Sequence, residues 1–355
     1  MTRRPLRSGY TTGACAAAAS LGAALLLRDG AQLTAVELPL PGGTLARFTL
    51  AGQQLTTRCA RCYVVKDAGD DPDVTHGVEL HAELCRVERQ AEDLELVAGV
   101  GIGRVTKPGL AVAVGRPAIN PVPRRMIVAA VRSVFPAIPA RQTLRLTLSI
   151  PDGEQRAEQT LNARLGILGG LSLLGTTGIV RPLSHQAWTD TLEVALDVAL
   201  AAGVPEVVLS TGRTSERAAR QLALPEEAFV MMGDHIGYCL AACHRKGVAA
   251  VTLAAQFAKL IKIACGHPQT HVRNSKLDLG RVRAWAGEIG LDAGDCQRLE
   301  LAHTAREIYQ QFGAESPLVS KVAAQALAEI DKRVPGARRK ILLVDYQGRI
   351  AKVYR

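Results

Sequence analysis

Hydrophobic positions follow two rhythms along this chain. In the first half, short apolar runs are broken by polar, glycine-rich stretches. From Ala14 to Leu27 the residues are almost all small and apolar, with Thr11 or Thr12 placed to cap a helix and Gly30 just past its end. That pattern predicts a buried, alanine-rich helix. Strand-length runs follow over 33–40, 45–50, 55–66, 78–87, 94–97 and 144–150. A helix over 124–134 is introduced by Pro121 and Pro123 and stops before Pro136. Between these elements lie irregular segments at 67–77, 99–109, 115–123 and 166–184, the last with glycine at 166, 169, 170, 175 and 178. Such loops occur where backbone must pass close to something.

The second half alternates strand-length and helix-length segments. Leu192, Ala195, Leu196, Ala199 and Leu200 share one face of a helix over 189–202 that ends at Gly203. Strands over 206–209, 228–232 and 248–253 alternate with helices from Ser215, over 234–246 and over 256–265. Helices fill most of 280–333, and 341–344 offers a fourth strand, 340–346 at its widest. Alternation of this kind means a parallel sheet covered on both faces. The pattern thus changes near 184–188 and divides the chain into 1–184 and 185–355, the second part a Rossmann-like α/β domain whose four-stranded parallel sheet is covered by helices.

Composition narrows the function. The 355 residues are 48% hydrophobic and 21% charged, which excludes a disordered chain and leaves room for two cores. Aromatic residues are only 4%, thin for a protein that stacks bases. The net charge of +10 is spread over both halves and suits a soluble anionic ligand at least as well as a nucleic acid. Eight cysteines in apolar or helical settings are not a disulfide scaffold and fit a reducing cytoplasm. Arg3, Arg4 and Arg7 ahead of the apolar stretch imitate a secretory signal. The polar segment from Ser8 to Gly13, the dominance of alanine and the ending Arg28-Asp29-Gly30 favour the buried helix instead. The stretch also falls short of the roughly 20 residues that cross a bilayer.

Several segments could carry chemistry. Asp67, Asp70, Asp71 and Asp73 crowd into one loop with Lys66 before them and His76 after them. A solvated turn or cation loop is the plain reading, though the calcium-loop spacing is absent. Packed like charges raise a carboxylate's pKa, which suits a proton acceptor. Gly99-Val-Gly-Ile-Gly103 is not a dinucleotide fingerprint, because Pro108 forbids the helix that would hold the pyrophosphate. Arg116, Arg124 and Arg125 around three prolines form a stiff basic rim or simply a turn into a helix. Thr211-Gly212-Arg213-Thr214-Ser215 follows a strand and opens a helix, where open α/β sheets bind ligands. The plain reading of Thr214 or Ser215 is an N-cap, but Arg213 has no capping role. Asp234 stands after the second strand, either as a ribose-binding acid or as an N-cap. Cys59-Ala-Arg-Cys62 has zinc-knuckle spacing, yet within a strand the two side chains face opposite sides.

Taken together, Leu6-Arg-Ser-Gly-Tyr-Thr-Thr-Gly-Ala-Cys15, Val65-Lys-Asp-Ala-Gly-Asp-Asp-Pro-Asp-Val-Thr-His-Gly77, Gly99-Val-Gly-Ile-Gly-Arg-Val-Thr-Lys-Pro-Gly109, Pro117-Ala-Ile-Asn-Pro-Val-Pro-Arg124, Gly175-Thr-Thr-Gly-Ile-Val-Arg-Pro182 and Ser210-Thr-Gly-Arg-Thr-Ser-Glu216 resemble the cobalt-precorrin-5B C-methyltransferase family of anaerobic cobalamin biosynthesis. The resemblance is collinear from about residue 6 to 275. Lys259–His271 looks like the family's Gly-Lys-x-x-Lys stretch, with Ala258 in place of the glycine. The resemblance implies transfer of a methyl group from S-adenosylmethionine to carbon 1 of a cobalt-bearing tetrapyrrole, giving cobalt-precorrin-6A, on a fold of an α+β domain over 1–184 followed by an α/β domain over 185–355 with a four-stranded parallel sheet. Cobalt enters only with the substrate, and no protein metal is implied. On this reading Asp67, Asp70, Asp73 and His76 are the candidate catalytic groups. Thr211, Gly212, Arg213, Thr214, Ser215 and Asp234 would hold the donor. Arg7, Lys66, Arg104, Lys107, Asn120, Arg124 and Arg181 would meet the macrocycle's carboxylate arms. The expected partner is that small molecule, in the cytoplasm, with no nucleic acid or membrane; a homo-oligomer stays open. The contrasting class is a non-catalytic polyanion binder, a tetrapyrrole carrier or an RNA-binding protein, whose affinity would fall log-linearly with salt.

Overall fold

The computed structural model describes residues 6–182 and 185–355, so Arg3, Arg4 and Ser184 lie outside the described residues. The chain forms two compact units, Met1–His185 and Gln186–Arg355.

In chain order, the first unit holds β1 (Gly9–Tyr10), α1 (Thr12–Asp29), β2 (Ala35–Pro39), β3 (Leu45–Thr49), β4 (Gly52–Leu55), β5 (Cys59–Val65), β6 (Glu79–Glu88), β7 (Leu94–Ala98), β8 (Arg104–Val105), α2 (Pro121–Val134), β9 (Gln142–Ser149), α3 (Gly153–Ala157), β10 (Ile167–Leu168) and β11 (Ile179–Val180). Thr11 caps α1 by accepting from Ala14 N at 3.2 Å, and Gly30 N–H closes the helix on Leu26 O. α1 is apolar on every side and is buried accordingly, against β5, β6 and α2. The main sheet runs β4-β5-β6-β9-β7, antiparallel except for the parallel pair β7–β9. Leu80, Ala82 and Leu84 of β6 and Leu144, Leu146 and Leu148 of β9 face the core, while Glu83 faces water.

The sequence suggested one strand over 55–66. The structure breaks that run at a tight turn, where Thr56 Oγ1 accepts from Cys59 N at 3.0 Å. Register then sets Cys59 opposite Cys85, and the two form a disulfide, Cα–Cα 4.1 Å. The sequence reading, no disulfide scaffold, did not foresee this bond: a pairing 26 residues apart depends on strand register, which spacing alone does not reveal. Of the thiols left, burial pushes Cys15, Cys62 and Cys243 up to about 12.

The second unit holds α4 (His185–Ala201), β12 (Val207–Ser210), α5 (Arg213–Ala219), β13 (Phe229–Met231), α6 (Ile236–Arg245), β14 (Ala250–Gln256), α7 (Phe257–Ala264), α8 (Leu279–Glu288), α9 (Ala293–Leu301), α10 (Ala305–Phe312), α11 (Pro317–Arg333), β15 (Arg338–Val344) and β16 (Ile350–Tyr354). Its sheet runs β13-β12-β14-β15-β16. The expected four-stranded parallel sheet is corrected to five strands: the first four pair in parallel, and β16 adds an antiparallel edge. β12 is buried along its whole length, as a strand covered on both faces must be. Val207 and Leu209 enter the large core with α4, α6, α7 and α11, while Val208 packs with Ala218 and Ala219 of α5. Strand order reverses between β12 and β14, and the carboxyl ends of the strands at such a reversal are where open α/β sheets bind ligands.

Candidate functional site

In the first unit, the glycine-rich segments gather at the amino end of α1. Gly13 N bonds Leu174 O and Thr11 N bonds Gly178 O, while Thr12 Oγ1 accepts from Leu174 N. Tyr10 N bonds Asp67 O, which ties the acidic loop to the same strand. Ile102 bridges Leu171 and Ile119 bridges Leu173, so 102–105, 115–120 and 166–174 form one patch of paired backbone. Gly101 (φ +71°) shows why glycine is needed there: a Cβ would lie 1.9 Å from Ile150 O. Chain crossing at this spacing, rather than a nucleotide, explains the Gly99–Gly103 run.

The acidic loop is held by cations. Arg7 forms a two-pronged pair with Asp67, and its backbone N–H donates to Asp70 Oδ2 at 2.7 Å. Lys66 is buried and donates to Asp73 Oδ2 at 2.6 Å, while Thr75 N and Oγ1 both donate to Asp73 Oδ1. Ala68 N–H donates to His76 Nδ1 at 3.1 Å. The expected rise in carboxylate pKa is reversed. The Arg7 guanidinium, helped by Gly69 N–H, holds Asp67 down at about 2. Burial pushes Asp73 up, but Lys66 and Thr75 outweigh it and leave the group below its ordinary value.

Cations gather around the paired patch. Arg104 donates to Gly115 O, and Lys107 reaches Arg164 O at 3.5 Å. Asn120 stands at the N-cap of α2 without making a side-chain capping bond. Pro121 and Pro123 take two N–H donors from that first turn, and Arg124 and Arg125 lie exposed there with no acidic residue beside them. A helix amino end disfavours cations, so nothing in α2 itself accounts for the pair. Arg181 is exposed next to β11.

In the second unit, the carboxyl ends of the strands form a polar lip. Thr211 N bonds Ala254 O at 3.2 Å across the reversal of strand order. Gly212 precedes α5 and Arg213 begins it, exposed. Neither Thr214 nor Ser215 caps the helix; Ser215 Oγ lies 3.3 Å from Thr211 Oγ1 instead. Ser210 is wholly buried, and among the described residues its hydroxyl has no hydrogen-bond partner. Asp234 is not a cap either. Its Oδ1 accepts from Lys259 Nζ and, at 2.6 Å, from Thr270 Oγ1. Burial pushes this carboxyl up, but the two donors prevail and lower it.

Comparison with known proteins agrees with the motifs. Residues 1–182 match the family described as CbiD, and residues 269–353 match that described as CbiD, C-terminal domain. The chain belongs to the CbiD family. Curated relatives named cobalt-precorrin-5B C(1)-methyltransferase include that of Geotalea daltonii, 51% identical over 98% of both chains, and that of Geobacter sulfurreducens, 51% identical over 99% of both. A 1.9 Å crystal structure of the cobalamin biosynthesis protein CbiD from Archaeoglobus fulgidus is 27% identical, covering 80% of this chain and 85% of that one, with a TM-score of 0.41.

In this CbiD-family chain, the sequence marks the Lys-x-x-Lys stretch at Lys259 and Lys262 but assigns its lysines no role. Lys259 binds Asp234, and the buried Lys262 donates to Thr270 O and Ser275 O, both at 2.9 Å, so it fixes the segment after α7. The Lys-x-x-Lys spacing was the available signal. A half-open cavity of about 380 Å³ also exists in this unit, but Glu206, Ala250, Arg338 and Arg355 line it, at the amino ends of the strands. Ligands of open α/β sheets bind at the other end. Among the described residues, no group of three or more His, Cys, Asp or Glu side chains is placed to hold a metal ion, and no helix is long and apolar enough to cross a membrane.

Proposed function

We propose that this chain is a cobalt-precorrin-5B C(1)-methyltransferase: in the cytoplasm, without nucleic acid or membrane, it moves a methyl group from S-adenosylmethionine to carbon 1 of the macrocycle, giving cobalt-precorrin-6A. The observation that carries the reading is identity near 50% along the full length of relatives bearing that name. The donor's sulfonium supplies an already activated methyl group, so the protein's part is to align the partners and exclude water. Cobalt belongs to the substrate.

The first unit takes the acid-fringed ring. Arg104 and Asn120 belong to one connected backbone patch, Lys107 and Arg124 follow its segments in the chain, and Arg124 stands in the first turn of α2, where the helix itself disfavours a cation and a bound anion would offset that. Arg181 adds a further exposed cation. Lys66 and Arg7 are committed to Asp73 and Asp67, so their role is to hold the acidic loop in shape. That leaves Asp70 and His76 as the loop's exposed polar groups. With Nδ1 accepting from Ala68 N, the neutral His76 ring carries its proton on Nε2, which suits it to donate to a carboxylate arm rather than to take a proton. The second unit takes the donor at the lip formed by Thr211, Gly212, Arg213, Thr214, Ser215 and Asp234, supported by the reversal of strand order there.

Anaerobic incubation with cobalt-precorrin-5B and methyl-labelled S-adenosylmethionine tests the activity. Mass spectrometry should find one labelled methyl added to the ring; an unmodified ring beside intact, correctly folded protein would sink the proposal.

A further inference from the structure

Trp188, near the start of α4, is 42% exposed, while the chain's other tryptophan, Trp285, is buried at 1%. An exposed indole is ordinarily loose, but this one is fixed. Its Nε1–H donates to Met232 O at 3.2 Å. Its ring lies over Gly233 (φ +60°), where a Cβ would come within 3.3 Å of it. The His235 ring stacks alongside, centroids 6.2 Å apart and planes 25° from parallel. The segment 232–235 that holds it leaves the carboxyl end of β13, beside the point where strand order reverses.

Asp234 sits within that same segment. Lys259 and Thr270 occupy its Oδ1, and among the described residues nothing is bonded to Oδ2. A rigid aromatic face and an open carboxylate oxygen thus share one short stretch of chain. A purine stacks on the first, and a ribose diol donates to the second.

We infer that Trp188 is the platform for the purine ring of the methyl donor, with the ribose hydroxyls on Asp234 Oδ2. This inference rests on the reading that the second unit binds the donor. It adds a stacking group that the sequence motifs did not include, and it assigns the donor an orientation: base toward α4, sulfonium away from it.

The test uses the intact chain. Its tryptophan emission is titrated with S-adenosylmethionine, adenosine, 2′-deoxyadenosine and S-methylmethionine, a sulfonium without a base. Calorimetry then compares Trp188→Ala and Trp188→Phe. Adenosine and the full donor should quench the exposed indole, 2′-deoxyadenosine should bind more weakly, and S-methylmethionine should leave the emission unchanged. Trp188→Ala should weaken donor binding about ten-fold, the scale of one base–aromatic stack, and Trp188→Phe should recover most of it. Unchanged Trp285 emission in the variants checks the fold. If Trp188→Ala binds the donor as tightly as the parent, the platform is wrong while the donor reading stands. Quenching by S-methylmethionine but not by adenosine would overturn the orientation. If the parent chain binds no donor at all, the donor reading falls and this inference with it.

Discussion

At the scale of single residues, the acidic loop shows how much depends on who sits opposite. Lys66 is enclosed, and its ammonium is answered mainly by Asp73, whose side chain is 24% exposed. Lys66→Met removes the counter-ion and leaves a half-buried carboxylate held by Thr75 alone. Urea denaturation should show a loss of about 2 kcal/mol, less than the ~3–5 kcal/mol of a fully buried pair because Asp73 still touches water. Adding Asp73→Asn should restore part of that loss, since the stranded charge is then gone. Asp67 makes a statement about pH. Its folded value of about 2 lies below the ordinary 3.8, so its contribution to stability is complete above about pH 4 and disappears as pH falls toward 2. Arg7→Ala should shrink the difference in melting temperature between pH 7 and pH 2.5; an undiminished difference would show that the guanidinium does not set this value. The sequence exposed the four carboxylates but not their partners. Arg7 lies 60 residues from Asp67, and the pairing of residues 7–10 with 67–70 brings them together. Lys259 and Asp234 were hidden in the same way: each was visible, but their contact was not.

At the scale of elements, legibility followed local chemistry. α1 was readable to within a residue or two because its threonine cap, alanine run and terminal glycine are all local signals. The turn between β4 and β5 was not, since Thr57 and Arg58 carry no glycine or proline to mark it. β16 was missed because Ile350–Tyr354 has no regular alternation and gains its hydrogen bonds from β15 alone. The glycine-rich segments were recognised as special, and the structure supplies the reason at Gly101. Gly101→Ala places a methyl on positive-φ backbone against Ile150 O and should cost at least about 2 kcal/mol, read as a lower urea midpoint. A midpoint within experimental error of the parent would mean that the crossing is looser than described. Thr11→Ala, which deletes a buried helix cap, should cost about 1 kcal/mol in the same assay.

At the scale of the whole molecule, the charge of +10 has a measurable counterpart. Exposed arginines attract an anionic ring through solvent, and salt screens that attraction over about 10 Å at 0.1 M. Raising salt from about 0.05 to 0.5 M should increase the KM for the tetrapyrrole several-fold while the donor's Kd moves less than two-fold. Equal responses would show that the cations do not discriminate between the two ligands. The second unit's sheet has a consequence of its own. One margin is β13, only three residues long, and the other is β16, which pairs with β15 through a register irregularity at Leu343/Val344 and carries Lys352. Short, kinked or lysine-bearing margins give an incoming strand little to zip onto. Neighbouring copies therefore find a poor template for fibre growth along either margin of this sheet, and helical faces are what this unit offers to another copy.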